Sequence, residues 1–392
     1  ENAQGANTLS IAEASVGLSR TALFFGRIRP VSVIIKSPSL ELVRSQSGTL
    51  SLFIKDEQAG AQLVPEIEPK QDAGQQVAQL FKDMATHKRG SFISRLDKFI
   101  IKDASVAVRD YEYGLSWYLT DLDFGIAEHE QGIAASLDID LPGGHDKAAS
   151  ISIDMVYRKD EDDFRAAAHI QDLNPYFISR FLPVPDMLAG QDLFLTGDFE
   201  AATDTYLTPS YFSFNGSIPS GSVSIPEEFD APITLKDIAV KAEYNSKDQV
   251  INVSNLSGEI GGIAFAGEAR GTFAPKSMGL PIQLRVANVD LKQIPPLFPK
   301  SEHDGEAYAW LGRDIESGKF SDVVLKMELR GEKNRNEKLQ RDEWAFDVPQ
   351  MTLDFAFEDA TVRYSHTLMP VTEGKGRGKL DLGSEELKIY GD

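Results

Sequence analysis

The sequence predicts a mainly β protein: mostly one antiparallel sheet with an apolar face and a few short covering helices, its alternation fitting an open groove and a closed sandwich alike. Three observations predict it. First, residues 321–364 hold two stretches of clean alternation. Val323, Leu325, Met327 and Leu329 alternate with Val324, Lys326, Glu328 and Arg330, and Met351, Leu353, Phe355 and Phe357 alternate with Thr352, Asp354, Ala356 and Glu358. Successive side chains of a strand point to opposite sides, so each stretch has one greasy face and one wet face. Second, the same period of two recurs along nearly the whole chain, with turn chemistry at a spacing of roughly 10–15 residues. Third, the strands lack the continuous apolar runs of a parallel sheet covered on both sides.

In chain order, residues 7–54 read as short strands separated by Arg29-Pro30, Ser37-Pro38 and Gln46-Ser47-Gly48. Between them Arg20, Arg27 and Arg29 flank the strand-sized apolar cluster at 22–25. Two readings stay open there: solvated strand ends, or a basic collar that meets a membrane surface. Residues 56–75 are polar and rich in Pro, Gln and Gly, the composition of a loop. Val77, Leu80, Phe81 and Met84 then follow helical spacing, so a helix near 72–86 is expected to cover part of the sheet or plug one end of it. From 99 to 170 the alternation returns as a meander of hairpins that includes Leu137, Ile139, Ile151, Ile153 and Met155. A short helix near 174–182 follows, with Asn174 to cap it and Pro175 in its first turn. Further strands reach 286, then a helix near 305–316, then the two organising strands.

A faint internal repeat links 170–193 with 289–323: in each, a strand end carrying Asp-Leu precedes a helix and another strand. The chain divides into a groove segment over 1–170, a middle segment over 171–300 and a C-terminal segment over 301–392.

Composition bounds the function. Of 392 residues, 42% are hydrophobic and 26% charged, as in a folded domain. The formal net charge of −20 argues against nucleic acid, whose phosphates need a basic footprint, and against broad adsorption to anionic lipid. The absence of cysteine excludes disulfides, thiolate zinc sites and cysteine nucleophiles. No apolar run is long enough to span a bilayer as a helix. The chain reads as a piece of a longer protein.

Catalytic signatures are missing. His87, His129, His145, His169, His303 and His366 never pair at metal-ligand spacing. Asp121 with Asp123, and Asp138 with Asp140, read as the wet face of strands rather than as a hydrolase pair. Asp160-Glu161-Asp162-Asp163 lacks the spacing of a calcium loop and reads as a solvated hairpin tip. Gly374-Lys375-Gly376-Arg377-Gly378 lacks the Lys-Ser/Thr of a phosphate loop. The reading is therefore no enzyme and no cofactor.

Several stretches resemble the AsmA-like family of Gram-negative envelope proteins, and its large YhdP-type members in particular. They are Ala22-Leu23-Phe24-Phe25-Gly26 through Arg29-Pro30, residues 34–42 with Val43-Arg44, Ser47-Gly48-Thr49-Leu50, Ile101-Lys102-Asp103-Ala104-Ser105-Val106 with Arg109-Asp110, Ala309-Trp310-Leu311 with Ile315-Glu316-Ser317-Gly318-Lys319-Phe320-Ser321-Asp322, and Phe357-Glu358-Asp359-Ala360-Thr361-Val362-Arg363-Tyr364 with Met369-Pro370 and residues 374–378 behind it. The resemblance implies a long, curved antiparallel β-sheet that forms an open apolar groove, a β-taco or repeating β-groove, in a periplasmic segment of a protein anchored in the inner membrane. It implies a bridge on which phospholipids pass between inner and outer membranes, with the membrane-reaching parts lying outside this chain. On that reading the groove is lined by Leu137, Ile139, Ile151, Ile153, Met155, Val323, Leu325, Met327, Leu329, Leu353, Phe355 and Phe357, and its partners are acyl chains. A tail sheltered from water gains about 25 cal/mol per Å², so a continuous dry track suffices without catalysis. Roughly 20 strands side by side would give a track on the order of 95 Å. The alternative from the residues alone is an envelope scaffold or chaperone-like factor that assists outer-membrane protein assembly, with the greasy face holding polypeptide.

Overall fold

The computed structural model describes residues 13–45, 50–54, 61–62, 73–86, 95–111, 115–141, 149–174, 191–205, 208–227, 229–297, 300, 315–336, 341–363, 369–381, 384 and 386–391. The protein is mainly β, with 76% strand and 7% helix, and its sheet is open rather than closed into a barrel. The chain forms two compact units: Glu1–Leu173 with Asp198–Phe212, and Asn174–Gly197 with Ser213–Asp392.

The first unit runs β1 (Glu13–Leu18), α1 (Arg20–Phe24), β2 (Pro30–Lys36), β3 (Ser39–Arg44), β4 (Leu50–Ile54), β5 (Ala61–Gln62), α2 (Ala73–Ala85), β6 (Lys98–Asp110), β7 (Leu115–His129), β8 (Gly132–Leu141), β9 (Ala149–Arg158) and β10 (Asp163–Leu173). The strands β6 to β10 form the expected antiparallel meander. On the other side of β6, β2 and β3 lie end to end and both pair with it in parallel. The sequence reading expected a mostly antiparallel sheet and did not foresee these parallel neighbours. Parallel neighbours need a crossover connection, and the segment carrying α2 supplies one.

Helix α2 falls where the periodicity placed it. Its stripe of Ala78, Phe81 and Met84 packs on Ile126, Ile133, Tyr157 and Phe164, all of them at most 5% exposed. The rings of Phe81 and Phe164 meet edge to face at 5.5 Å. At its exposed flank, Lys82 Nζ lies 3.3 Å from Asp162 at the tip of the β9–β10 hairpin. The helix therefore plugs one end of the apolar face.

The second unit carries β11 (Asp192–Leu193), β14 (Ile233–Asn245), β15 (Val250–Ile260), β16 (Ile263–Phe273), β17 (Ser277–Asp290), β18 (Ile315–Asn336), β19 (Arg341–Val362), β20 (Val371–Asp381) and β21 (Glu386–Gly391). The division between units passes through β12 (Leu195–Asp204) and β13 (Pro209–Val223). From β14 to β21 every consecutive pair is antiparallel. The two organising stretches are the centres of β18 and β19, which reach 22 residues each. The expected helix over 305–316 cannot extend to its last residues, because β18 already begins at Ile315. The remainder of that helix, and the helix expected after Asn174, lie outside the described residues.

Two local readings change. The apolar cluster at 22–25 is not a strand: Ser19 caps a short helix there through its side-chain oxygen, and the extended path is interrupted. Asp121 is not part of a regular wet face. It lies at a β-bulge between Thr120 and Leu122, with φ of 58°. Asp103, Asp172, Asp237, Asp322 and Asp359 share this left-handed backbone, with φ between 49° and 54°. Each is followed by an apolar residue. Aspartate tolerates this conformation better than most residues, and a bulge adds local twist to its strand. The recurring unit of the sequence is thus an Asp–apolar bulge more than the longer repeat at 170 and 289. At those two places Leu173 and Leu291 are alike only in burial, at 2% exposed each; Asp172 is left-handed, whereas Asp290 is extended and caps a 3₁₀ turn.

Candidate functional site

The register assembles alternating residues into rows that cross the strands. In the first unit one row runs Ile35, Ile101, Phe124, Leu137, Ile153 and Ala168, each directly opposite the next. Beside it runs Ala104, Leu122, Ile139, Ile151 and Ile170. On the α2 side, Ala135 pairs with Met155, and Ile133 pairs with Tyr157. Burial changes along the strands. Ile133 and Tyr157 are 1% and 5% exposed beneath the helix, and Leu141 and Ala149 at the opposite end are 4% and 2% exposed. Between these ends Leu137, Ile139, Ile151 and Ile153 are only half-buried. Met155 belongs with the covered end, since it packs against the α2 cluster.

In the second unit a single row crosses eight strands: Val240, Leu256, Gly267, Leu284, Leu325, Leu353, Leu380 and Leu387. All eight are half-buried. A leucine row that borders solvent on one side and the pleated backbone on the other is the arrangement a single-layer sheet gives when no second layer covers it. The row beside it contains Met327 opposite both Ile282 and Met351. Leu329 packs against the buried Val253, Ala269 and Leu280.

Of the twelve residues expected to line a groove, Val323 and Phe355 lie apart from the rest. They are 6% and 5% exposed in a cluster with Val289, Leu291 and Phe320, and the rings of Phe320 and Phe355 are 4.2 Å apart. Leu353 and Phe357 flank this cluster. Its chemistry is that of a packed core. Leu325 and Met327 in one unit, and Leu137, Ile139, Ile151 and Ile153 in the other, are half-buried, as is Leu353 at the edge of the packed cluster.

The sequence reading missed Val240, Leu256, Leu284, Leu380 and Leu387. Leu256, Leu284, Leu380 and Leu387 alternate with polar neighbours in their own strands, but which residues share a row depends on strand register, and bulges at Lys236/Ala239, Val253/Leu256 and Ser321/Val324 shift it.

The opposite faces are wet. Lys326 lies 3.6 Å from Asp354 across β18 and β19, and Lys236 lies 3.7 Å from Glu259 across β14 and β15. Such exposed pairs add little stability but keep the outer face soluble. A concavity of about 860 Å³ in the second unit opens among Asn252, Glu268, Arg270, Gln283, Lys326 and Thr352. Charges of both signs line it together with the apolar side chains of Val253, Ala269, Ile282 and Met327. Among the described residues no group of three His, Asp or Glu side chains is placed to hold a metal. No helix there is long and apolar enough to cross a membrane.

One titratable group reports on the plugged end. The Tyr157 phenol donates a 2.7 Å hydrogen bond to Asp162, which also meets Lys82 of α2. Burial, reinforced by this hydrogen bond, pushes the phenol up to about 12 from 10.0, and the bond holds the Asp162 carboxyl below its usual range. The raised phenol keeps its proton in the folded chain while the unfolded chain loses its own. Stability is therefore whole below pH 10 and falls as pH climbs toward about 12. Absorbance titration is expected to show a late phenol among the eleven tyrosines that Tyr157→Phe removes. A late component that survives the substitution would contradict the geometry.

The fold and its accessible rows define a class: an open, helix-plugged β-sheet protein with a hydrophobic lane on one face of each unit. Comparison with protein-family models gives no match, and none is found among curated proteins or among solved structures.

Proposed function

We propose that the chain is a periplasmic lipid-binding segment of an AsmA-like, YhdP-type envelope protein, in which the apolar lane of each unit shelters phospholipid acyl chains as they pass between inner and outer membranes. The observation that carries this is the row from Val240 to Leu387, all eight of whose residues are half-buried across eight strands, with no second sheet laid over them among the described residues. With strands about 4.8 Å apart, that row measures on the order of 34 Å. Side chains of this kind recognise methylene groups without discriminating among headgroups, so lipid slides and no catalytic group is required. The resemblance in the stretches around Asp103, Asp322 and Asp359 supports the family assignment.

Native mass spectrometry of the purified chain tests the proposal. The expected spectrum carries adducts that organic extraction identifies as phospholipid. A chain free of lipid after purification from lipid-replete cells, and unable to take up labelled phospholipid from vesicles, overturns the reading. Bound polypeptide in place of lipid would instead support the chaperone-like alternative.

A further inference from the structure

A separate surface lies at the start of the first unit, built from residues that are not part of its lane. The segment between β1 and β2 is closed into a knuckle by its own backbone. Ser19 N–H donates to Arg29 O at 2.9 Å, Arg27 N–H to Ala22 O at 2.8 Å, and Gly26 N–H to Leu23 O at 2.9 Å. Gly26 ends α1 with φ of +69°, a backbone that favours glycine. What this knuckle holds outward is apolar: Phe24 is 86% exposed, Ile28 79%, Phe25 75% and Leu23 48%. Large side chains displayed this openly on a hydrogen-bonded turn mark an interaction site rather than a packing defect.

The charge around them is inverted relative to the whole molecule. In a chain of net charge −20, positions 14–40 hold no Asp or Glu but hold Arg20, Arg27, Arg29 and Lys36. Lys36 pairs with Glu13 at 2.9 Å, and Arg29 stands 4.0 Å from Asp97. Among the described residues Arg20 and Arg27 have no carboxylate at ion-pair distance.

We infer that the knuckle docks on the surface of an anionic phospholipid bilayer, with Phe24, Phe25 and Ile28 entering the headgroup region and Arg20 and Arg27 meeting lipid phosphates. Acidic surface elsewhere is repelled by such a bilayer, so this acid-free projection is where the chain can approach it. Arginine is suited to the contact because its planar fork grips phosphate oxygens two at a time. Aromatic and long aliphatic side chains beside it match the interfacial zone, where apolar bodies bury beneath polar heads. The inference uses residues distinct from the lanes.

Co-sedimentation with vesicles tests it on the full chain. Binding to phosphatidylcholine mixed with phosphatidylglycerol in roughly equal parts is expected to exceed binding to phosphatidylcholine alone by about ten-fold, and to weaken with salt. The double variants Phe24→Ser with Phe25→Ser, and Arg20→Gln with Arg27→Gln, should each lose most of that binding, since all four positions are exposed and contribute little to the core. Phe24→Trp should add emission, above that of the three native tryptophans, that shifts to the blue only with the anionic vesicles. Equal binding of the parent to both vesicle types, or parent-like binding by either double variant, overturns the inference. So does a chain that ignores vesicles but self-associates through the knuckle, which would assign the surface to a second copy. Lipid recovered from the lanes is expected to be unchanged in these variants, so failure of the docking inference and failure of the lipid-lane reading are distinguishable.

Discussion

Leu325→Lys combined with Ile153→Lys is expected to strip most of the co-purifying phospholipid while leaving a soluble, cooperatively folding chain. The two positions place one charge in the accessible lane of each unit. Both side chains are half-buried, so an ammonium there reaches water by extending its methylene stem and the fold survives. A lipid tail lying across the same spot must either desolvate that ammonium or detour around it. A charge among hydrocarbon costs about 2.5–3.5 kcal/mol on insertion scales, and each 1.4 kcal/mol is about ten-fold in affinity. Lipid recovery should therefore fall by at least about ten-fold. Extraction and quantification of lipid from parent and variant measure it. Recovery equal to the parent, with the variant folded, would show that tails do not lie on these rows.

Phe355→Ala is expected to act on the fold instead. Phe355 is 5% exposed, its ring sits 4.2 Å from that of Phe320, and it covers Gly378 on the neighbouring strand. A Cβ built at Gly378 would fall 2.2 Å from the ring, so the bare backbone of β20 is part of the pocket that holds it. Removing a buried phenyl group forfeits its transfer energy and leaves a cavity, at a cost of about 3–5 kcal/mol. The midpoint of the urea transition that reports on the second unit should drop accordingly, with its slope little changed. A loss below about 1 kcal/mol would mean that the ring is not packed as described. The contrast with Leu325 is instructive, since the two residues alternate in neighbouring strands with the same apolar periodicity. One is core and the other is accessible surface.

That contrast marks how far the sequence could be read. Helix α2 was legible because Leu80, Phe81 and Met84 repeat at the helical period and nothing in β structure shares that spacing. The strands β18 and β19 were legible for the converse reason. The aspartate bulges were present as recurring Asp–apolar pairs, but an aspartate on a regular wet face and one in a left-handed kink leave the same letter in the chain. The knuckle at Ser19–Arg29 looked strand-sized because its apolar run is short; Ser19 capping and Gly26 decide otherwise.

Alternation alone determined that this protein is a β structure whose strands have one greasy side and one wet side, because the period of two is a property of the extended backbone itself; an open groove and a closed sandwich share that period, and the structure is open. Only the tertiary structure decided which greasy residues meet. Register is set between strands, each bulge shifts it by a residue, and α2 covers one end of the first unit's apolar face while leaving the middle free. The lane is therefore a consequence of pairing: Leu284, Leu325, Leu353 and Leu380 share a row because four strands stop in register, and nothing within any one strand specifies that.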